Sequence, residues 1–188
     1  GPAQPAVADD PRVVRVDDPA DPRVAPYVGL RERDLVGRGG RFVAEGEVVL
    51  RLLSERTPHL VRSVLVAERR LQRVKPLIAP LGPDVPVFLA GQDVLDRIAG
   101  LHLNRGILAI ADKPVAPPLD RLLLAAPERA MVPVTVGLSN HDNVGGVLRN
   151  AAAFGAPFAI MDAGTADPFY RKAVRVSVGG ALAVPIVR

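Results

Sequence analysis

The sequence predicts an α/β chain in two parts: an N-terminal α/β sandwich over residues 10–112 and, after a linker over 113–130, a βαβαβ unit over 131–188. Three observations predict it. Runs of β-branched residues alternate with short amphipathic stretches, the pattern of strands and crossover helices. The segment Lys113-Pro114-Val115-Ala116-Pro117-Pro118 sets three prolines within five residues, which neither a helix nor a central strand continues. The apolar stretch Val132–Leu138 then starts the alternation afresh.

In the first part, Phe42-Val43-Ala44 predicts a short strand and Glu45–Ser54 a helix with Val49, Leu52 and Leu53 on one face. Val61–Ala67 reads as a strand, Arg70–Ile78 as a helix and Val87-Phe88-Leu89 as a strand. Gln92–Ile98 reads as a short helix ended by Gly100, and Gly106–Ala111 as a strand. Residues 12–16 and 23–30 predict irregular chain with some helix. In the second part the strand Val132–Leu138 leads through the loop Ser139–Asp142 into a helix from about Asn143 to Phe154, ended by Gly155. Phe158–Met161 is the next strand, Pro168–Val174 a helix and Ala183–Val187 the last strand. This order requires parallel strands with right-handed crossovers. Three strands leave open edges and a small core, so the sequence is expected to be a fragment of a longer protein.

Composition narrows the function. The chain is 48% hydrophobic and 23% charged, an ordinary globular balance. It has no cysteine, which excludes disulfides, thiolate catalysis and cysteine zinc sites, and fits a reducing cytoplasm. No apolar run approaches the ~18–20 residues of a membrane span, so no membrane association is expected. All but Lys75, Lys113 and Lys172 of the 24 basic residues are arginine. Arginine's planar fork suits phosphates and base edges, which favours a nucleic acid partner; a GC-rich genome would enrich arginine as well.

The segment Ser139–Gly155 carries the densest chemistry. It follows the carboxyl end of a strand, where open α/β sheets place ligands. Asn140, Asp142 and Asn143 are good N-cap residues, and the positive end of the helix dipole faces the same loop. Gly145 and Gly146 each cost about 1 kcal/mol of helix propensity relative to alanine. Close approach of a ligand or of another backbone would offset that cost. Arg149 follows Gly145 by four residues and leans toward the helix N-terminus. Together these groups make a corner that accepts a phosphate. Each also has a plainer role: Asn143 as a cap, Arg149 as a solvated or ion-paired side chain, the glycines as a packing contact. Neither a dinucleotide fingerprint nor a Walker lysine is present.

Asn140-x-x-Asn143-x-Gly145-x-x-x-Arg149, followed by an alanine-rich helix and Phe154-Gly155, resembles the first motif of the SpoU/TrmH ribose methyltransferases of the SPOUT superfamily. Asp167-Pro168-Phe169-Tyr170-Arg171, then Arg175, Ser177, Gly179 and Pro185, resembles the family's next block. Phe42-Val43-Ala44-Glu45-Gly46 and Gly100–Gly106 resemble the opening and closing segments of the ribosomal-protein-like RNA-binding domain that precedes many of these enzymes. The resemblance covers residues 23–188.

It implies a trefoil-knotted α/β domain, a homodimer, a structured RNA partner (rRNA or tRNA), no metal, and methyl transfer from S-adenosylmethionine to a ribose 2′-hydroxyl. Carried over, it assigns Arg149 as the principal catalytic residue with Asn143 supporting it, and Asn140 and Gly145 as RNA contacts. Arg38, Arg41 and Arg105 join them as candidate RNA contacts of the first part, with Arg31 and Arg33 beside them. A guanidinium keeps its proton to above about pH 12, so Arg149 is read as positioning and stabilising rather than as a base.

The family's later motifs, which enclose the adenosyl group and form the knot, are expected beyond Arg188; this polypeptide is therefore expected to bind S-adenosylmethionine weakly or not at all. His59, His102 and His141 are scattered without metal-ligand spacing and read as structural or surface groups. Tyr170-Arg171-Lys172 and Arg175 read equally as a solvated or dimer-facing helix and as an RNA contact, and Glu45 as a helix cap or partner of a local arginine. The alternative function is an RNA-binding module without catalysis.

Overall fold

The structure, a computed structural model, describes residues 10–30 and 39–188. Two sheets organise it. The first has five strands in the order β1-β4-β3-β5-β2: β1 (Val13–Arg15), β2 (Arg41–Glu45), β3 (Val61–Ala67), β4 (Val87–Ala90) and β5 (Ile107–Asp112). β1, β4 and β3 run parallel, while β5 lies antiparallel to both β3 and β2.

Strand alternation builds two cores on the two faces of this sheet. Phe42, Ala44, Val64, Val66, Val87, Leu89 and Ala109 face helices α1 (Glu47–Arg56) and α2 (Leu71–Ile78). Val43, Leu65, Phe88, Leu108 and Ile110 face α3 (Gln92–Ala99) and the 3₁₀ segment Pro22–Leu30. The expected sandwich is therefore present. Gly100 ends α3 in the left-handed conformation, as the sequence predicts. Tyr27 is fully buried and its hydroxyl hydrogen-bonds Ser63 Oγ at 2.6 Å, beside a register irregularity in β3. Burial holds the phenol's pKa well above its ordinary value.

Sequence reading missed β1. Three residues carry too little periodicity, and this edge strand exists because Val13, Val14 and Arg15 pair with Val87, Phe88 and Leu89. Arg12 helps to fix it, donating to the carbonyls of Ile78 and Leu81 at 2.9 and 3.0 Å.

After the extended Pro-rich segment, α4 (Leu119–Ala125) leads to the second sheet, order β6-β7-β8, all parallel: β6 (Val134–Thr135), β7 (Ala159–Met161) and β8 (Ile186–Val187). The long helix α5 (His141–Ala153) crosses from β6 to β7, and α6 (Arg171–Val176) and α7 (Gly180–Ala183) cross from β7 to β8. The βαβαβ order is as predicted, but the strands are shorter. Of Val132–Leu138 only two residues pair. The helix expected over Pro168–Val174 starts at Arg171, and α7 occupies the start of the strand expected over Ala183–Val187.

The two sheets share one apolar cluster: Phe42 and Leu53 belong to the same core as Val144, Leu148 and Phe169. The Phe42 and Phe169 rings are 5.3 Å apart. Glu45, which is strand rather than helix, is only 7% exposed. It accepts from Arg171 Nη1 at 3.0 Å, with Arg175 Nη1 at 3.7 Å. Its partners are thus far along the chain, not local. Lys113 Nζ pairs with Asp167 Oδ2 at 3.0 Å and sits over the Phe169 ring, tying the linker to the second half.

Candidate functional site

The motif helix begins two residues earlier than the sequence suggests. Asn140 is its N-cap, and the Asn140 carboxamide oxygen accepts from the Asn143 backbone N–H at 3.1 Å. Asn143 is therefore not the cap. It lies one turn inside, exposed, and its side chain lines a groove of about 560 Å³. Leu138, Ala151 and Phe154 give that groove apolar walls, and Asp142, Asn143 and Asn150 give it polar groups. Asn150 Nδ2 donates to the Gly146 carbonyl at 2.9 Å, so Asn150 is anchored to the helix itself.

The two glycines divide the roles that the sequence left open. A Cβ at Gly145 would stand 2.8 Å from Val176 Cβ and 2.9 Å from the Ala173 carbonyl oxygen. Gly145 is buried and makes room for α6, which corrects its expected place as an RNA contact. Gly146 has nothing within 4 Å of its missing side chain and borders the groove. A closer reading of helical phase could have separated them, because Gly145 shares a face with the core residue Leu148.

Arg149 is exposed and makes no ion pair or hydrogen bond among the described residues. It does not line the apolar groove. Its guanidinium is neither sealed by hydrophobic neighbours nor neutralised by a carboxylate, so it is available to an anion. The nearby basic cluster is divided. Lys172 Nζ pairs with Asp142 Oδ2 at 3.2 Å, whereas Arg171 and Arg175 turn inward to Glu45. His141 sits at the first helical position with its ring 4.6 Å from that of Tyr170, and its Nε2 is buried without a hydrogen-bond partner.

Most of the second motif block is structural. Ser177 is buried; its hydroxyl donates to the Val174 carbonyl at 2.8 Å and accepts from the Ala181 N–H at 3.2 Å. Gly179 has φ +80° and lies against Leu52 of α1. Val178 before it also has positive φ, an uncommon and costly conformation for a β-branched residue. Gly180 allows α7 to approach the α5 backbone: a Cβ there would be 2.6 Å from the Leu148 carbonyl oxygen.

The carboxyl ends of β6 and β7 are tied by Asp162. Its carboxylate accepts from the Thr165 hydroxyl at 2.7 Å, the Thr165 N–H at 2.8 Å and the Gly137 N–H at 3.0 Å. The Thr165 hydroxyl foremost, then the Gly137 N–H, holds its pKa below the ordinary carboxylate value. Sequence reading did not single out this residue; the only signal was an Asp-x-x-Thr spacing, common in turns.

The candidate contacts of the first half do not converge. Arg41 and Glu45 mark opposite ends of β2, paired with Asp112 and Leu108 of β5. Arg41 Nε is 3.3 Å from Asp112 Oδ1, a carboxylate that Arg62 also pairs with. Arg105 lies at the other end, its side chain across Gly46. Arg31, Arg33 and Arg38 lie outside the described residues.

No protein-family model matches the sequence. A tRNA/rRNA methyltransferase of Mycobacterium tuberculosis, described as uncharacterized, is 38% identical over 178 residues, covering 92% of this chain and 59% of the relative. A 23S rRNA (guanosine-2′-O-)-methyltransferase RlmB of Acinetobacter baylyi is 28% identical over 123 residues, 64% of this chain and 49% of that protein. An rRNA methyltransferase of Sinorhizobium meliloti superposes with a TM-score of 0.73 at 22% identity, over 94% of this chain and 65% of that one. The SpoU methyltransferase AviRb of Streptomyces viridochromogenes does so with 0.68 at 23% identity, over 88% and 60%. Another neighbour, a putative RNA methyltransferase of the TrmH family from Porphyromonas gingivalis, superposes with a TM-score of 0.66 at 24% identity, over 87% of this chain and 60% of that one. The α/β architecture is that of the SpoU structures. The chain spans about three fifths of the length of the M. tuberculosis relative.

The groove beside α5 offers no positive charge to S-adenosylmethionine, the cofactor that the resemblance to SpoU/TrmH enzymes implies. A methionine carboxylate is held most strongly by cationic donors; no basic side chain lines the groove, which leaves the Asn143 and Asn150 carboxamides as its side-chain N–H donors. Among the described residues no group of three or more His, Asp or Glu is placed to hold a metal, and no helix is long and apolar enough to cross a membrane.

Proposed function

We propose that this chain is the RNA-docking part and the first portion of the methyl-transfer unit of an RNA ribose 2′-O-methyltransferase that uses S-adenosylmethionine and acts on rRNA or tRNA. In this reading residues 10–112 dock the RNA, 113–130 connect, and 131–188 begin a knotted SPOUT domain that works as a cytoplasmic homodimer. The observation that carries it is Arg149: an exposed guanidinium without a partner among the described residues, on the helix whose cap is Asn140, in a chain 38% identical to a tRNA/rRNA methyltransferase. AdoMet-bound structures among the neighbours support the cofactor.

S-adenosylmethionine supplies an electrophilic methyl group; everything else asked of this chain is electrostatic. A ribose hydroxyl is a poor nucleophile until its proton is shared or lost. Arg149 would hold the phosphate next to the target ribose and stabilise negative charge growing on the 2′-oxygen. Asn143, facing the groove one turn from the cap, would orient the same nucleotide.

The test is transfer of labelled methyl from S-adenosylmethionine to total RNA by the full gene product, with nuclease digestion to locate 2′-O-methylated nucleotides. Arg149→Ala is expected to lower turnover by about 10²–10³-fold. RNA bound by the full product without any methyl transfer would instead select the non-catalytic RNA-binding module.

A further inference from the structure

One pocket of the first half gathers three arginines. It holds about 200 Å³ and is lined by Glu47, Val48, Arg70, Arg73, Arg105 and Ile107. It opens at the start of α1, whose N-cap, Gly46, supplies no side-chain cap. The first N–H groups of a helix seek an acceptor and carry partial positive charge.

The basic side chains here are unevenly compensated. The Glu47 carboxylate is shared by Arg51 at 3.0 Å and Arg73 at 2.9 Å. Arg69 is held by neutral groups, Gln92 Oε1 at 3.1 Å and the Asn104 carbonyl at 2.7 Å. Arg105 has no partner among the described residues, and its Cδ and Nη1 lie 3.0 and 3.1 Å from where a Cβ on Gly46 would stand. Arg70 Nε is buried with no hydrogen-bond partner. A buried donor without an acceptor is costly and calls for one. Arg69, Arg70 and Arg105 thus bring three uncompensated positive charges to one end of the sheet, around the bare backbones of Gly46 and Gly106.

We infer that this pocket is a phosphodiester clamp that docks the RNA backbone, with Arg70 and Arg105 as its two forks; the inference rests on the RNA-methyltransferase reading above. Arginine forks match phosphate bidentately. The alternative way to hold RNA, stacking bases on the large aromatic rings of Phe, Tyr or Trp, is not offered by this half. Its only Phe, Tyr or Trp side chains among the described residues, Tyr27, Phe42 and Phe88, are all in the core. The docking half is therefore better equipped to grip backbone and shape than to stack on bases.

The experiment measures binding of a fluorescein-labelled RNA stem–loop to the chain across a salt series. Variants are Arg105→Gln, which is exposed and leaves the core intact, Arg70→Gln, Arg70→Lys, and Arg129→Gln as an exposed control. Each lost phosphate contact is expected to reduce the slope of log K against log salt by about one, with affinity falling equally for stem–loops of different sequence. Arg70→Lys keeps the charge but not the fork, and is expected to bind between wild type and Arg70→Gln. Arg129→Gln is expected to match wild type. A wild type that binds RNA while Arg105→Gln and Arg70→Lys keep its affinity and slope overturns the clamp and leaves the methyltransferase reading standing. A wild type that binds no RNA overturns both.

Discussion

The two sheets of this molecule are closed to very different degrees. In the five-stranded sheet the central β3 is covered on both faces, and Leu65 and Val64 are wholly buried. In the three-stranded sheet the strands are two or three residues long, and Val136 and Phe154 stand 79% and 73% exposed, with Met131 and Val134 exposed as well. The first sheet is held by its own side chains, whereas the second borrows from the first: Phe42 meets Phe169, Glu45 takes Arg171 and Arg175, and Leu52 lies under Gly179. The lesson is that a motif block can look like a ligand site and be an internal dock. Arg171, Arg175, Ser177 and Gly179 all spend their chemistry inside the chain.

The sharpest way to break that contrast is Leu65→Ala. Truncating a side chain buried between sheet and helices is expected to cost about 2–5 kcal/mol. Because the second half leans on the first, urea denaturation should show both halves lost in one earlier transition. If a second, unshifted transition survives, the second half stands alone.

Gly180→Ala should act in the opposite sense. The new methyl would press on the α5 backbone, which cannot swing aside as a side-chain tip can, at an expected cost of about 1–3 kcal/mol. Amide exchange should quicken in β7 and β8 and stay slow in β3. Equal acceleration in β3 would contradict the division.

The dock itself is read by a double-mutant cycle on Glu45→Gln and Arg171→Ala. The carboxylate is buried and the guanidinium about one-fifth exposed, 8% and 22% by side chain, so a coupling of about 1 kcal/mol is expected. Additive effects would mean that the Glu45–Arg171 pair does not help to join the halves.

Asp162 offers a smaller, pH-dependent effect. Its folded pKa is lowered, so its stabilising contribution is present above the unfolded carboxylate value near 4 and fades as pH falls through the folded value. Asp162→Asn should therefore destabilise the second half at pH 7, with the difference from wild type closing on acidification below about pH 4. A difference that stays constant with pH would assign the loss to geometry rather than charge. Smallest of all, Arg149→Ala should move stability by no more than about 0.5 kcal/mol, because the side chain is exposed and makes no partner among the described residues.

Much of this was legible in the residues. Val61–Ala67 and the helix ended by Gly100 follow from alternation and a left-handed stop, and the βαβαβ order from the second run of strands and helices. The first motif was legible as a cap, a glycine pair and an arginine. Its partition was not. Asn140 rather than Asn143 caps α5, and the close approach of α6 rather than of a nucleotide accounts for Gly145, because helical phase relative to α6 is set by contacts from distant residues. Nothing near Arg70 in the sequence hints at its orphaned Nε, or at the pocket it shares with Glu47 and Arg105 from distant parts of the chain.

By itself, then, the order of residues determined the α/β class, the parallel topology of the second sheet and the group of polar residues around Arg149, since periodicity, caps and turns are local and each is written within a few positions. Only the tertiary structure decided which charges are consumed and which remain. Glu45 silences two arginines more than 120 residues away, Asp142 takes Lys172, and Arg149, Arg70 and Arg105 are left over. A charge is neutralised by whatever lies within a few ångströms, and proximity of that kind belongs to the packed chain rather than to the sequence.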